Sequence, residues 1–455
     1  MQSETPAVLA ERLCVSLRMR ELLGSGILGV LESDLPEPQR VRIIGFRSFV
    51  PELAFVLTMT GLLVVNHERS IQRQAMPEIF HAAADEYGFV HAGYTVSTGT
   101  EVFADVEESA SGPLLGSESE RTMPVFEGMT PENAVGIFLT AASIGHDDFL
   151  LRTIEDLKAA SGTALVFDVK GGSVLFHSAA PMANSIGLVK SIYELPEILA
   201  LFRSHGIYSI GRFVAIKDDG LTRKLPATRM KHPQTGKVLS ETWVDPSNET
   251  AIAYNMEVIC ELASMGIDEI NLDYIRFSTA EFGALRVYSG SEKADRIEAF
   301  IRAARETIDR CGPKTKLGLS TFAILGWNYD NNVETLGQDV VRFAPLVDII
   351  SPMAYPATFS INAYYNPRKD PGSRMYYLVY RTLMGYEELL GPEHSKKLRP
   401  WIQGYGVTTK NMTDQINGVY AAGLCGYTVW NANNAYAPTY SAMKKDTERP
   451  ERCRK

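Results

Sequence analysis

The chain is poor in the residues from which metal, redox and nucleotide sites are built. Its eight His show no HExxH-type spacing, so a zinc site built by the protein is not expected. Its five Cys (Cys14, Cys260, Cys311, Cys425, Cys453) are odd in number and scattered, with no CxxC. That pattern predicts buried or idle thiols rather than a disulfide framework. No GxGxxG or GxxxxGKS follows the first strand-like run, so the usual phosphate cradles are missing. No metal and no organic cofactor is expected. Cationic charge is also short: 45 Lys and Arg face 54 Asp and Glu, for a net charge of -9. A general nucleic-acid binder needs a basic field, so that class is disfavoured.

Long apolar runs are scarce as well. The run from Leu53 to Val65 follows Arg40, Arg42 and Arg47. It suits a signal-peptide core and is short for a spanning helix. Residues 41–66 therefore read as a signal or anchor segment, with membrane association through residues 50–66, and a start at Val41 would bring them to the N-terminus. An ordinary buried helix or strand fits the same composition. The first reading exports the protein to a bacterial envelope or anchors it there; the second leaves it cytoplasmic. Residues 1–40 read as disordered. Residues 67–129 are weakly patterned and include "VEESASGPLLGSESERT" (106–122), a linker composition. Residues 438–455 read as a charged tail.

Between 130 and 437 the sequence is regular. Eight short apolar runs alternate with helical segments: "AVGIFLT" (134–140), "ALVFDVK" (164–170), "YSIGRFVAIK" (208–217), "EINLDYIRF" (269–277), "KLGLSTFAIL" (316–325), "VDIISPMAY" (347–355), "LRPWIQGYG" (398–406) and "GYTVWNA" (426–432). The helices end in Gly followed by an apolar residue: Gly206-Ile207, Gly266-Ile267 and Gly423-Leu424. Gly takes the left-handed position and the apolar residue packs back on the last turn. Ile252, Met256, Ile259 and Ala263 form one helical face, and Ile297, Phe300, Ile301, Ala304 and Ile308 another. Eight strand–helix units predict an α/β fold, a (β/α)8 TIM barrel behind a weakly ordered N-terminal extension. A doubly wound open sheet is the alternative.

Barrel chemistry sits at the C-terminal ends of the strands. Those ends offer Asp168 and Lys170, then Arg212, Lys217 and Asp218, then Asn271, Asp273 and Arg276. Further round come Ser320, Trp327 and Asp330, then Ser351 and Tyr355, then Trp401, Gln403 and Tyr405, and finally Trp430 and Asn431. The fourth Trp, Trp243, lies in the loop after the third strand. Indole faces beside amides, acids and cations suit a sugar ring, whose C–H face stacks while its hydroxyls hydrogen-bond. Asp273 is the anomaly, a carboxylate on a strand bound for the interior. It is either half of a buried ion pair with Arg212, Lys170 or Arg276, or a glycosidic nucleophile, base or transition-state stabiliser. Asp168 is a candidate for the second acid. Asp245 is another, although Asp245-Pro246 also reads as a helix N-cap with Pro at the first position, and Asp218 and Asp330 are loop candidates.

The segments "ALVFDVKGGSVLF", "GIYSIGRFVAIKDDGL", "WVDPSNETAIAYNMEV" and "GIDEINLDYIRFS" resemble the family of putative glycosyl hydrolase domains, carried as a domain of unknown function. "DIISPMAYP", "WIQGYG" and "GYTVWNANN" continue the likeness over residues 130–435. The resemblance implies a TIM barrel with its fourth-strand acid at Asp273. It also matches Asp168 and Lys170 to the second-strand pattern and Asp245 to the loop pattern. The expected function is a glycoside hydrolase acting on a polysaccharide or cell-envelope glycan through strand-end carboxylates. A non-catalytic carbohydrate-binding or scaffold barrel is the alternative, since no acid lies within the fifth or sixth strand. A third reading, an enzyme of phosphorylated metabolites, would use "GYGVTTKNMT" (404–413) as its phosphate loop.

Overall fold

The computed structural model describes residues 129–445 and 450–453. The expectations for residues 1–128, including the segment at 50–66, lie outside the described residues.

The strands are β1 (Val135–Leu139), β2 (Ala164–Lys170), β3 (Val174–Phe176), β4 (Val189–Tyr193), β5 (Tyr208–Val214), β6 (Glu269–Asp273), β7 (Lys316–Phe322), β8 (Ile349–Ala354), β9 (Trp401–Gln403) and β10 (Tyr427–Trp430). The hydrogen-bonded order β1-β10-β9-β8-β7-β6-β5-β2 is closed by a β1–β2 pairing. These eight strands are all parallel, and helices lie between them. The chain therefore forms the closed barrel, and each of the eight apolar runs supplies one strand. Strands β3 and β4 form an annex that the sequence reading missed: β3 runs antiparallel to β2, and β4 parallel to β3.

The helix ends work as their sequence implies. Gly206, Gly266 and Gly423 take φ of 65°, 77° and 85°, and each returns the chain to the start of a strand. Ile207 donates its amide back to the Phe202 carbonyl at 2.9 Å, which closes the terminal turn.

Two apolar layers result. The outer one, between sheet and helices, holds Leu165, Phe167, Val169, Phe213, Ile270 and Leu272 with the buried helix faces. The inner one holds Ala134, Phe138, Ala164, Val166, Tyr208, Ile210 and Trp401. Strand alternation puts every second residue inside. On β6 those residues are Glu269, Asn271 and Asp273, so one strand carries polar groups at the floor, middle and mouth of the barrel. At the floor, Arg399 donates to both oxygens of Glu269 at 2.9 and 2.6 Å, with both side chains buried. Arg399 also reaches the Pro131 carbonyl. In the middle, the Ser320 hydroxyl donates to Asn271 Oδ1 and accepts from Trp401 Nε1. Gly318 makes room for this column: a Cβ there would fall 2.5 Å from Glu269 Oε1 and 2.6 Å from Asn271 Nδ2.

The thiol expectation is corrected. Cys260 is bonded to Cys311 and Cys425 to Cys453. The first bridge joins the ends of the helices Glu249–Ser264 and Gly290–Cys311, which lead into β6 and β7. The second fixes the C-terminal segment. In the C-terminal segment a helix (Ala437–Lys444) opens and Cys453 is tied back to the chain just before β10. Among the described residues no helix is long and apolar enough to cross a membrane.

Candidate active site

The site lies where β2, β5 and β6 end side by side. Asp168 stands opposite Arg212 in the β2–β5 register, and Arg212 opposite Asn271 in the β5–β6 register. All three functional side chains therefore reach the mouth from neighbouring strands. Arg212 is the rung between two acids. Its Nη1 donates to Asp168 Oδ1 at 2.6 Å, its Nε donates to Asp273 Oδ2 at 2.7 Å, and its Nη2 lies 2.7 Å from the same Asp273 oxygen. One planar guanidinium thus bonds both acids at once.

The two carboxyl groups live in different surroundings. Burial pushes the Asp168 carboxyl up; the Arg212 pair opposes that shift and the Asp273 charge adds to it. Asp168 nevertheless keeps 18% of its side-chain surface open at the mouth. Asp273 receives N–H donors on both oxygens, because the Tyr274 amide donates to Oδ1 at 2.7 Å. That is the pattern of an acceptor-only carboxylate. Tyr274 adopts φ 51°, a left-handed conformation costly for a bulky side chain, and so turns its amide onto Asp273. Burial works to lower the Arg212 pKa, but Asp273 and Asp168 together hold it above its ordinary value.

Aromatic side chains face this ladder from β1, β8, β9 and β10. Trp430 stacks on Tyr355 at 6.0 Å and on Phe138 at 6.4 Å, and Tyr405 meets both Trp430 and Tyr355 edge-on. The Arg212 guanidinium lies 5.7 Å from the Phe138 ring centre, joining the two halves. Burial, then the nearby Asp273 charge, raises the Tyr355 hydroxyl well above the usual range, and burial pushes Tyr405 up to about 12. The mouth therefore has a charged half and an aromatic half, the division of labour a sugar ring requires.

Other expected residues lie elsewhere. A bulge between Asp168 and Lys170 turns Lys170 outward, away from the mouth. There its Nζ is 2.7 Å from Asp218 Oδ2 and 2.9 Å from the Val214 carbonyl, between the rings of Phe213 and Tyr254. Arg276 is buried, not on the rim: its guanidinium packs over Phe322, Trp243 and Tyr274 and donates to the Phe277 carbonyl. Asp245 pairs with Arg296 and accepts from Ser247 N, and the N-cap of the following helix is Asn248. Trp243 is buried beside Tyr274, with Lys217 over the far ring of that pair.

Trp401 and Asn271 sit one layer below the mouth, in the polar column. Gln403 and Asn431 hold loops: Gln403 accepts from Ala357 N and donates to the Tyr405 carbonyl, and Asn431 donates to the carbonyls of Gly404 and Ala435. Trp327 belongs to a separate aromatic cluster with Phe359, Tyr364 and Tyr377. The stretch at 404–413 ends in an ordinary helix start, where the Thr408 hydroxyl accepts from Asn411 N and Asn411 Oδ1 accepts from Thr408 N. Sequence reasoning passed over Phe138, an apolar residue whose inward position on β1 was its only signal. Among the described residues no cluster of His, Cys, Asp and Glu is arranged to hold a metal.

Several solved structures are similar over part of the chain. A hypothetical protein from Ruminiclostridium thermocellum is 31% identical over 40% of this chain and 96% of its own, with a TM-score of 0.34. An endo-beta-1,4-mannanase from Thermotoga petrophila is 12% identical over 70% of this chain and 77% of its own, with a TM-score of 0.47. An alpha-galactosidase from Thermus thermophilus is 13% identical over 70% and 62%, with a TM-score of 0.43. No curated protein matches. A family model described as "Putative glycosyl hydrolase domain" matches residues 136–436, from the second residue of β1 to beyond β10. The chain belongs to that glycosyl hydrolase-like family.

Proposed function

We propose that this protein hydrolyses glycosidic bonds of a polysaccharide or cell-envelope glycan at the mouth of the barrel. The observation that carries the reading is the Asp168–Arg212–Asp273 ladder, in which one guanidinium joins two acids, one pushed up by burial and the other also held by a backbone amide. Glycoside hydrolysis needs one protonated and one ionised carboxyl group across the scissile bond. Burial favours the protonated form of Asp168, which makes it the proton donor to the glycosidic oxygen. The donors converging on Asp273 suit the ionised partner, nucleophile or base. Water completes the reaction, its hydroxyl going to the anomeric carbon and its second proton restoring the acid. Trp430 and Tyr355 would receive the C–H face of the pyranose, leaving its hydroxyls to the charged half. The two disulfides support maturation in an oxidising compartment, hence export.

The test is hydrolysis of a panel of polysaccharides and aryl glycosides. Asp273→Asn should lower kcat by about 10²–10⁴-fold while glycan binding persists. Asp168→Asn should be crippled on natural linkages yet spared on aryl glycosides, whose leaving groups need little protonation. Equal rates for wild type and Asp273→Asn would sink the reading.

A specific observation favours a second reading, a barrel that binds glycan without cleaving it. Arg212 engages both acids, and the inner positions of β7 and β8 carry Ser320, Phe322, Ser351 and Met353 rather than an acid. On that reading wild type binds one glycan of the panel and hydrolyses none.

A further inference from the structure

The loops after β7 and β8 carry a second cluster that the ladder does not use. Trp327 follows β7 and meets Phe359, Tyr364 and Tyr377, with ring centres 5.2 to 6.2 Å apart. The chain runs from the mouth straight into this cluster. Tyr355 leads directly into Pro356–Thr358 and Phe359, and Gln403 pins that turn through the Ala357 amide.

Residues 356–384 carry Arg368, Lys369, Arg374 and Arg381 against Asp370, and the loop after β7 brings Asp330, Glu334 and Asp339. Arg374 and Arg381 flank the aromatic cluster from one helix (Arg374–His394), two turns or about 10 Å apart. Arg374 donates to the Phe359 carbonyl at 2.7 Å. Arg381 donates to the Gly326 carbonyl at 3.0 Å and lies 5.0 Å from the Trp327 ring centre. Among the described residues neither guanidinium has a carboxylate partner. Burial lowers the Arg374 pKa with no acid near enough to offset it. Asp370 is committed elsewhere: it accepts from the Asn366 amide and sits beside the Tyr377 hydroxyl. Each guanidinium spends one donor on a backbone carbonyl and keeps the rest of its fork for something else.

We propose that this shelf is a secondary glycan subsite selecting a carboxylate-bearing polymer, a polyuronate, with sugar faces on the part-exposed rings of Trp327, Tyr364 and Tyr377, which pack on the buried Phe359, and uronate groups on Arg374 and Arg381. The proposal rests on the glycan-binding reading of the mouth and names its substrate class. A guanidinium fork matches a carboxylate in shape and charge, and half-buried cations lose less to salt than exposed ones.

The experiment uses the full chain carrying Asp273→Asn, so that a bound polymer is not consumed. Affinity electrophoresis and calorimetry are run against polygalacturonate and, as the neutral probe, galactomannan. Polygalacturonate should bind, and Arg374→Met with Arg381→Met should weaken it at least tenfold without moving galactomannan. Arg381 packs on Trp327, so that pair could disturb the loops. Arg368→Glu with Lys369→Glu, both exposed, is the fold-neutral companion and should weaken polygalacturonate by a smaller factor. No polygalacturonate binding, or equal binding by all three proteins, overturns the proposal. Failure of the active-site reading is separable: wild type would then bind polygalacturonate through the shelf and still hydrolyse nothing on the glycan panel.

Discussion

Reducing the Cys260–Cys311 bridge should weaken the barrel by an amount that can be worked out. The bridge closes a loop with a sequence separation of 51. In the chain-entropy description, cross-linking such a loop removes enough freedom from the unfolded chain to contribute about 4 kcal/mol at 25 °C. The folded side has little to lose when the bridge is opened. Gly312 already lets the two helix ends touch, since a Cβ there would fall 2.3 Å from the Ala263 carbonyl oxygen, and the Ser264 hydroxyl donates to the Cys311 carbonyl. Unfolding entropy near 2.1 cal/mol/K per residue, over the roughly 320 described residues, converts 4 kcal/mol into a fall of about 6 °C in Tm. Calorimetry or circular dichroism on wild type and the Cys260→Ser, Cys311→Ser double variant measures it. Alkylation and peptide mapping of the unreduced wild type should find neither thiol. An unchanged Tm in the double variant, or free thiols at both positions in protein secreted through an oxidising compartment, would refute the reasoning. The Cys425–Cys453 bridge, with a separation of 28, should matter less to the barrel because it pins only its last segment.

Further outcomes follow from the buried charges. Glu269→Gln leaves Arg399 buried without its counter-charge and should cost about 3–5 kcal/mol by denaturant titration, whereas replacing both partners with apolar residues should be far better tolerated. Lys170→Met should destabilise by a similar amount, about 3–5 kcal/mol, through Asp218, and leave KM for any glycan unchanged; a large KM effect would return Lys170 to the substrate. Arg212 is the group that opposes the upward shift of Asp168, so Arg212→Met should raise that pKa further. Because the acid must be protonated to work, the alkaline limb of kcat/KM should then move to higher pH, and a downward move would contradict the role given to Asp168.

Much of the fold was legible because its punctuation is local. Gly266-Ile267 announces the end of one helix and the start of the next strand with two residues, and the Gly must be there for its φ of 77°. The ladder was legible in part: Asp273 stood out as a carboxylate on an apolar strand, and Arg212 was already a named partner. What the sequence hid was whatever depends on a shift of register or on distant pairing. One bulge at the end of β2 sends Lys170 into the outer layer while Asp168 stays inside, so strict alternation gave the pair a common face they do not share. Arg276 looked like a rim cation because a cation buried among Phe322, Trp243 and Tyr274 has no signature along the chain. The disulfides were missed because their halves are far apart in sequence and a fifth Cys makes the count odd.

The polar column and the bridges also fix where the chain enters and leaves. Residue 129 lies just ahead of β1, and Cys453 is held beside the residues that lead into β10. Both ends of the described chain therefore lie at the floor of the barrel, on the side away from Asp168 and Asp273. A tag, a support surface or a fused reporter attached through the C-terminus would leave the mouth facing outward. A particle carrying many copies would then present every site to an insoluble glycan at once, and weak single contacts would add into a firm hold.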